Sequence, residues 1–116
     1  MERPTSYHEF WPYYVREHAR PRTRLLHFLG TGGVIVLAVL AAILLNGWLL
    51  LAMPVCGYGF AWFAHAFVER NRPATFTHPF WSLLGDFHMF AMMLTGRMDA
   101  EVERYKQGPR LDDLPK

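Results

Sequence analysis

The chain contains a single cysteine, Cys56. One thiol cannot build an internal disulfide framework or a multi-cysteine metal site, and it reads as a small apolar residue within a helix. No H-E-x-x-H motif is present, so a protease-type zinc site has no support. There is no serine nucleophile elbow, no phosphate-binding glycine loop and no pair of catalytic carboxylates. No internal repeat or low-complexity segment is present. No secretory signal peptide can be read either, because polar residues fill the chain before the first apolar run at Leu25. A net charge of +2 is too small to argue for nucleic-acid binding.

Charge is also missing where it matters most. From Leu25 to Val68 there is no Asp, Glu, Lys or Arg; the ionisable groups of note are His27, His65 and the Cys56 thiol. Yet 19% of the 116 residues are charged. Arginines crowd the N-terminal segment (Arg3, Arg16, Arg20, Arg22, Arg24) and the Arg70–Arg72 patch. Arginines beside apolar runs suit a membrane surface. The length fits one domain.

Helical patterns account for most of the chain, so the fold class expected is all-α, an integral membrane helical hairpin. The first helix is expected from Ser6 to about Ala19, with Tyr7, Trp11, Tyr14 and His18 on one face. It is an amphipathic, interfacial helix (region 1–22), interrupted in its first turns by Pro12 and ended by Pro21. The second runs from about Thr23 to Leu45 and includes about 21 uncharged residues, enough to span a bilayer. Asn46-Gly47 is a turn. The third runs from Trp48 to about Glu69, with a kink expected at Pro54, Gly57 and Gly59. Together they form a transmembrane hairpin over 23–69. A shorter apolar helix follows, from about Phe80 to Thr95 within a membrane-associated region 79–96. A polar helix is expected around Asp99–Lys106, and 107–116 is expected to be a mobile tail. The arginines lie at the open end of the hairpin, so the positive-inside rule puts that end in the cytoplasm. The expected location is a bacterial inner membrane.

The histidines follow from this register. His27 lies about 20 residues before the turn centre and His65 about 19 after it, which at about 1.5 Å per residue sets them at one depth. His18 lies across the Pro21 break and can fold back to the same level. Three imidazoles from three segments can thus converge, and polar groups at a membrane are costly and usually used. Imidazole suits iron, zinc or copper. Glu69, one turn beyond His65, is either a carboxylate ligand or a group that orients a histidine. Histidines plus one carboxylate with open positions is the arrangement of non-haem Fe(II) oxygenases. Asp86, in an apolar helix, has two readings: ligand or proton acceptor, or hydrogen-bond partner of Ser82 or a loop arginine. Arg70 and Arg72 either bind a lipid carboxylate or phosphate or simply flank the membrane. His88 reads as a membrane-surface or packing residue, His78 as a loop residue and His8 as exposed.

The stretches "YVREHARPRTRLLHFLGTG", "GYGFAWFAHAFVERNRPATF" and "HPFWSLLGDFHMF" together resemble a family of small multi-pass membrane proteins long described as a domain of unknown function. Its characterised fungal member is the 2-hydroxy fatty acid dioxygenase of phytosphingosine breakdown. The resemblance covers about Tyr7 to Gly96. It rests on Tyr14, His18, Pro21 and His27, and on His65, Glu69, Arg72, Pro73 and Ala74. At Thr23 the family often has Asn, and the fungal member has extra hydrophobic segments, so the chain looks like the short bacterial branch. The resemblance implies Fe(2+)-dependent α-oxidation of a 2-hydroxy fatty acid with O2, shortening the chain by one carbon. It implies His18, His27 and His65 as iron ligands with Glu69 near them; Asp86 belongs to the branch pattern. Arg24 or Arg72 would pair with the substrate carboxylate. Two other readings stand beside it: a bis-histidine haem protein with His27 facing His65, and a non-catalytic lipid-binding membrane protein.

Overall fold

The structure is a computed structural model, described here for residues 3–114. Helix α1 spans Tyr7–Arg16, α2 Pro21–Leu44 and α3 Trp48–Phe63. A π-helical turn, Ala64–Glu69, continues α3. Helix α4 spans Pro79–Leu94 and α5 Met98–Tyr105, with 3-10 turns at Ala74–Phe76 and Leu111–Asp113. Among the described residues there is no strand.

Local chemistry sets these boundaries. The Ser6 hydroxyl accepts the Glu9 N–H at 3.2 Å and starts α1. Pro12 does not interrupt that helix, which runs through it. The missing N–H is offset by packing on both sides, because Phe10 and Tyr14 are fully buried. The helix ends at Arg16, short of Ala19. Pro21 then opens α2 at a first-turn position, where its lost N–H costs nothing. Leu45 takes a left-handed conformation (φ 51°) to end α2, and the Asn46 Oδ1 accepts the Trp48 N–H at 3.0 Å. The hairpin is therefore closed by a tight turn, as its sequence predicts.

Small residues let α2 and α3 approach closely. A Cβ on Gly30 would lie 2.9 Å from Phe60 Cβ, and one on Gly33 would lie 2.6 Å from Cys56 Sγ. The two helical rods Pro21–Leu44 and Trp48–Glu69 are long and apolar enough to cross a membrane. Only 22% and 17% of their most apolar windows are buried. The core helix of a soluble protein would instead be mostly covered. Helix α4, with 16 residues, is about 24 Å long and does not reach across a layer of about 30 Å.

The buried core sits at the open end of the hairpin. Phe10, Trp11, Tyr14 and Val15 of α1 pack with Met89 of α4 and with Met98 and Val102 of α5. Two expectations change here. The aromatic face of α1 is not spread over an interface; it is spent on this core. Gly85 makes that possible, since a Cβ there would meet the Tyr14 ring at 2.9 Å. The tail expected to be mobile packs as well. Leu111 and Leu114 are buried in the same core. Arg16 fastens the segment by donating from Nε to the Tyr105 carbonyl at 2.7 Å and from a terminal nitrogen to that of Pro109 at 3.1 Å. Of that tail, Pro115 and Lys116 lie outside the described residues.

Candidate metal centre

The three histidines converge. His18 sits in the short link after α1, His27 on the second turn of α2, and His65 in the π-turn. Each is buried. His18 Nε2 lies 3.1 Å from His27 Nε2 and 3.1 Å from His65 Nε2. The rings meet edge to face, at interplanar angles of 80–90°.

The outward nitrogens decide the tautomers. His18 Nδ1 lies 2.6 Å from the Tyr14 carbonyl, and His27 Nδ1 lies 3.1 Å from the Thr23 carbonyl. A carbonyl oxygen only accepts, so both Nδ1 atoms carry the proton. His65 Nδ1 lies 2.6 Å from Asn71 Oδ1. The Asn71 amide nitrogen donates to the Glu17 carbonyl at 3.2 Å, so its oxygen faces His65 and that Nδ1 also donates. Neutral imidazole has one N–H. All three Nε2 atoms then present lone pairs to one another, with no proton between them. Burial, and after it the neighbouring His27 and His65 rings, hold His18 well below the usual histidine range, so a proton is a poor counter-charge there. A metal ion fits. Two nitrogens bound at about 2.1 Å and an angle near 95° are separated by about 3.1 Å. The residues present thus suit a metal bound by three imidazoles, each ring steadied by an oxygen behind it.

Beside this cluster lies a polar pair. The Tyr14 ring stacks on His18 with centroids 4.0 Å apart. Its hydroxyl donates to Asp86 at 2.5 Å. Burial pushes the Asp86 carboxyl up to about 7, against the opposing pull of the Tyr14 hydrogen bond. Burial and then Asp86 push the Tyr14 phenol well above its usual range. A cavity of about 220 Å³ between α2, α3 and α4 is lined by His27 and Asp86 together with Thr31, Met53, Tyr58 and Phe87. Its walls are mostly apolar side chains.

The other expected residues each have partners of their own. The Glu69 carboxylate is fully buried but is held by the Arg20 backbone N–H at 2.5 Å and by Arg110 at 3.1 Å. It stands outside the three-histidine group and ties the His65 turn to the link between His18 and His27. Arg24 is also buried; one terminal nitrogen donates to the carbonyls of His18 and Ala19, at 2.9 and 2.8 Å. The other faces the exposed Asp99 at 3.5 Å. It steadies the link rather than offering a free guanidinium. Arg72 is exposed and lies over the Phe76 ring. Asp86 does not bond Ser82, whose hydroxyl meets Thr75 at 3.2 Å. His88 stacks on Trp11 and bonds the Tyr7 hydroxyl at 2.8 Å. His78 stacks on Trp81, and His8 is exposed.

Sequence reasoning misses two participants, Asn71 and the Tyr14 hydroxyl. Asn71 is six residues after His65 and is no helical neighbour of it. The π-turn brings it back, with the Asn71 N–H bonding the His65 carbonyl at 2.9 Å. Arg70, in the left-handed region at φ 58°, makes the reversal. The usable signal was a polar amide directly after a histidine-bearing helix end.

No curated protein and no solved structure matches the chain. Residues 4–98 match the family described as 2-hydroxy-palmitic acid dioxygenase Mpo1-like. That span holds α1 to α4, all three histidines, Asn71, Tyr14 and Asp86. With most of its length matched and the histidines of its motifs gathered at one point, the chain belongs to the 2-hydroxy-palmitic acid dioxygenase Mpo1-like family.

Proposed function

We propose that the protein is an Fe(II)-dependent dioxygenase of 2-hydroxy fatty acids, acting at the face of a bacterial inner membrane. The observation that carries this reading is the convergence of three Nε2 lone pairs whose Nδ1 protons are already committed to oxygen acceptors. Three neutral imidazoles leave open positions on a ferrous ion, and iron bound there would supply O2 activation. The net change is a 2-hydroxy acid plus O2 giving the acid one carbon shorter, CO2 and water. The hairpin would cross the bilayer with its arginine-flanked end, and the histidines, on the cytoplasmic side.

The chain's own residues have definable tasks. His18, His27 and His65 hold the metal. The Tyr14 and Thr23 carbonyls and Asn71 keep each ring in the metal-binding tautomer. Glu69 and Arg24 hold the link between the first two ligands. The apolar cavity beside His27 takes part of the acyl chain and excludes water from it. Asp86, fixed by the Tyr14 hydroxyl at the head of that cavity, faces the polar end of the substrate and can hold or release a proton there.

The test is metal analysis and a visible spectrum of the purified protein, followed by oxygen uptake with 2-hydroxypalmitate and Fe(II). One iron per chain without a Soret band, and a product one carbon shorter, is the expected result. A Soret band would favour a haem protein. Neither metal nor turnover would favour a lipid-binding membrane protein.

A further inference from the structure

A pair of grooves lies on the hairpin, sharing no lining residue with the cavity at His27. The first, about 780 Å³, is lined by Arg20, Arg22 and Arg70 with Pro21, Phe67 and Val68. No acidic side chain lines it. All three arginines are exposed, and among the described residues none of them forms an ion pair. Arg20 meets Glu69 through its backbone N–H only, so its side chain is left to the groove.

The second groove, about 400 Å³, is almost wholly apolar. Leu26 of α2 and Val55, Cys56, Gly59, Phe60 and Phe63 of α3 line it. Gly59 keeps it open, with nothing within 4 Å of where a Cβ would stand. The two grooves are joined by a ring contact: Phe63 and Phe67 lie one helical turn apart with centroids 4.8 Å from each other. A cationic cradle therefore continues directly into an apolar track along the hairpin. That sequence of surfaces matches one ligand chemistry, an anionic head on a hydrocarbon chain.

We infer that this end of the hairpin binds an anionic glycerophospholipid, with its phosphate among Arg20, Arg22 and Arg70 and one acyl chain along the Phe63–Gly59 track. This rests on the hairpin being inserted in a bilayer, not on the iron chemistry. Arginine supplies forked donors suited to a phosphate diester. Free phosphate would use the cradle and leave the track uncovered, whereas a lipid with a phosphate head and an acyl chain fills both.

The experiment uses the full chain in nanodiscs of phosphatidylcholine with or without phosphatidylglycerol. Native mass spectrometry reads retained lipid, and thermal melting reads protection. Phosphatidylglycerol should be retained in preference and should raise the melting temperature. The combined Arg20→Gln, Arg22→Gln and Arg70→Gln variant should lose about fivefold in preference per arginine, as expected for a basic residue near an anionic surface. Arg97→Gln should lose nothing. Gly59→Leu, which fills the track, should weaken retention of the long-chain lipid while leaving a short-chain analogue unchanged. Should the triple variant fail to fold, Arg22→Gln alone carries the same test. The inference is overturned if the variant keeps the wild-type preference, if phosphatidylcholine is retained equally, or if inorganic phosphate protects as well as the lipid. A chain that inserts into neither kind of nanodisc overturns the membrane reading first and this inference with it.

Discussion

Asn71 Oδ1 lies 2.6 Å from His65 Nδ1, and that contact sets which nitrogen of the ring points inward. The amide is itself anchored on the Glu17 carbonyl. Its effect is on a ligand it positions. Asn71→Ala should therefore leave a folded protein whose iron affinity is lowered about 10–100-fold, the usual loss when such a partner is removed. Chelator competition measures it. Unchanged affinity would mean that the ring is held by packing alone.

Glu69 and Arg110 should behave as a coupled pair. The Glu69 carboxylate is fully buried, and Arg110, from the segment beyond the family match, is one of its partners. Glu69→Gln and Arg110→Gln should each lower stability, and the double variant should lose less than the sum, with a coupling of about 0.5–3 kcal/mol. Metal stoichiometry at saturating Fe(II) should stay at the wild-type value in Glu69→Gln. A lost equivalent of iron would put that carboxylate on the metal.

Gly85→Ala should act on the metal site through two contacts. The added methyl meets the Tyr14 ring at 2.9 Å, and that ring stacks on His18. Overpacking of this kind costs about 1–3 kcal/mol, and iron affinity should fall with it. Gly47→Ala, where a Cβ meets nothing within 4 Å, is the control. Equal effects in calorimetry and metal titration would dissociate Tyr14 from the site.

His18 predicts an acid-side loss of stability in the metal-free protein. Its folded pKa is held well below the usual value by burial and by its two histidine neighbours. Below about pH 6.5 the unfolded chain takes a proton that the folded one refuses, so stability falls as the pH drops and is fully present above that range. Asp86 works in the opposite sense. Its folded pKa is raised to about 7, so the stability it contributes is present in acid and is lost as the pH rises through 7. Comparing wild type with His18→Phe, which keeps a ring against Tyr14, cancels the Asp86 contribution. Between pH 6.5 and 5 the wild type should lose more stability than the variant. Parallel denaturation curves would contradict a neutral His18.

Topology is open to direct labelling. In a Cys56→Ala background, single cysteines at Asn46 and at Thr77, both exposed, should react from opposite faces of an intact vesicle, with Thr77 on the cytoplasmic side. Labelling of both from one side would remove the hairpin.

Much of this architecture is present in one dimension. An uncharged stretch from Leu25 to Val68 broken at Asn46-Gly47 determines a hairpin, because helical rise is nearly constant. Constant rise also determines that His27 and His65 stand at one depth, and Pro21 determines that His18 belongs to a separate segment. Helical register carries no information about groups that meet across a change of register. The π-turn at Ala64–Glu69 and the left-handed Arg70 are choices of packing, and they alone bring Asn71 behind His65. The claim of Arg110 on Glu69, and of Tyr14 on Asp86, joins residues 41 and 72 positions apart. The same holds for α1 and the tail. An aromatic face and two late leucines are apolar surface with no address, and whether they cover a membrane or each other was decided only when α4 and α5 offered a core to fill. Burial free energy is non-directional, so the sequence states that such a face must be covered, and the tertiary structure states by what.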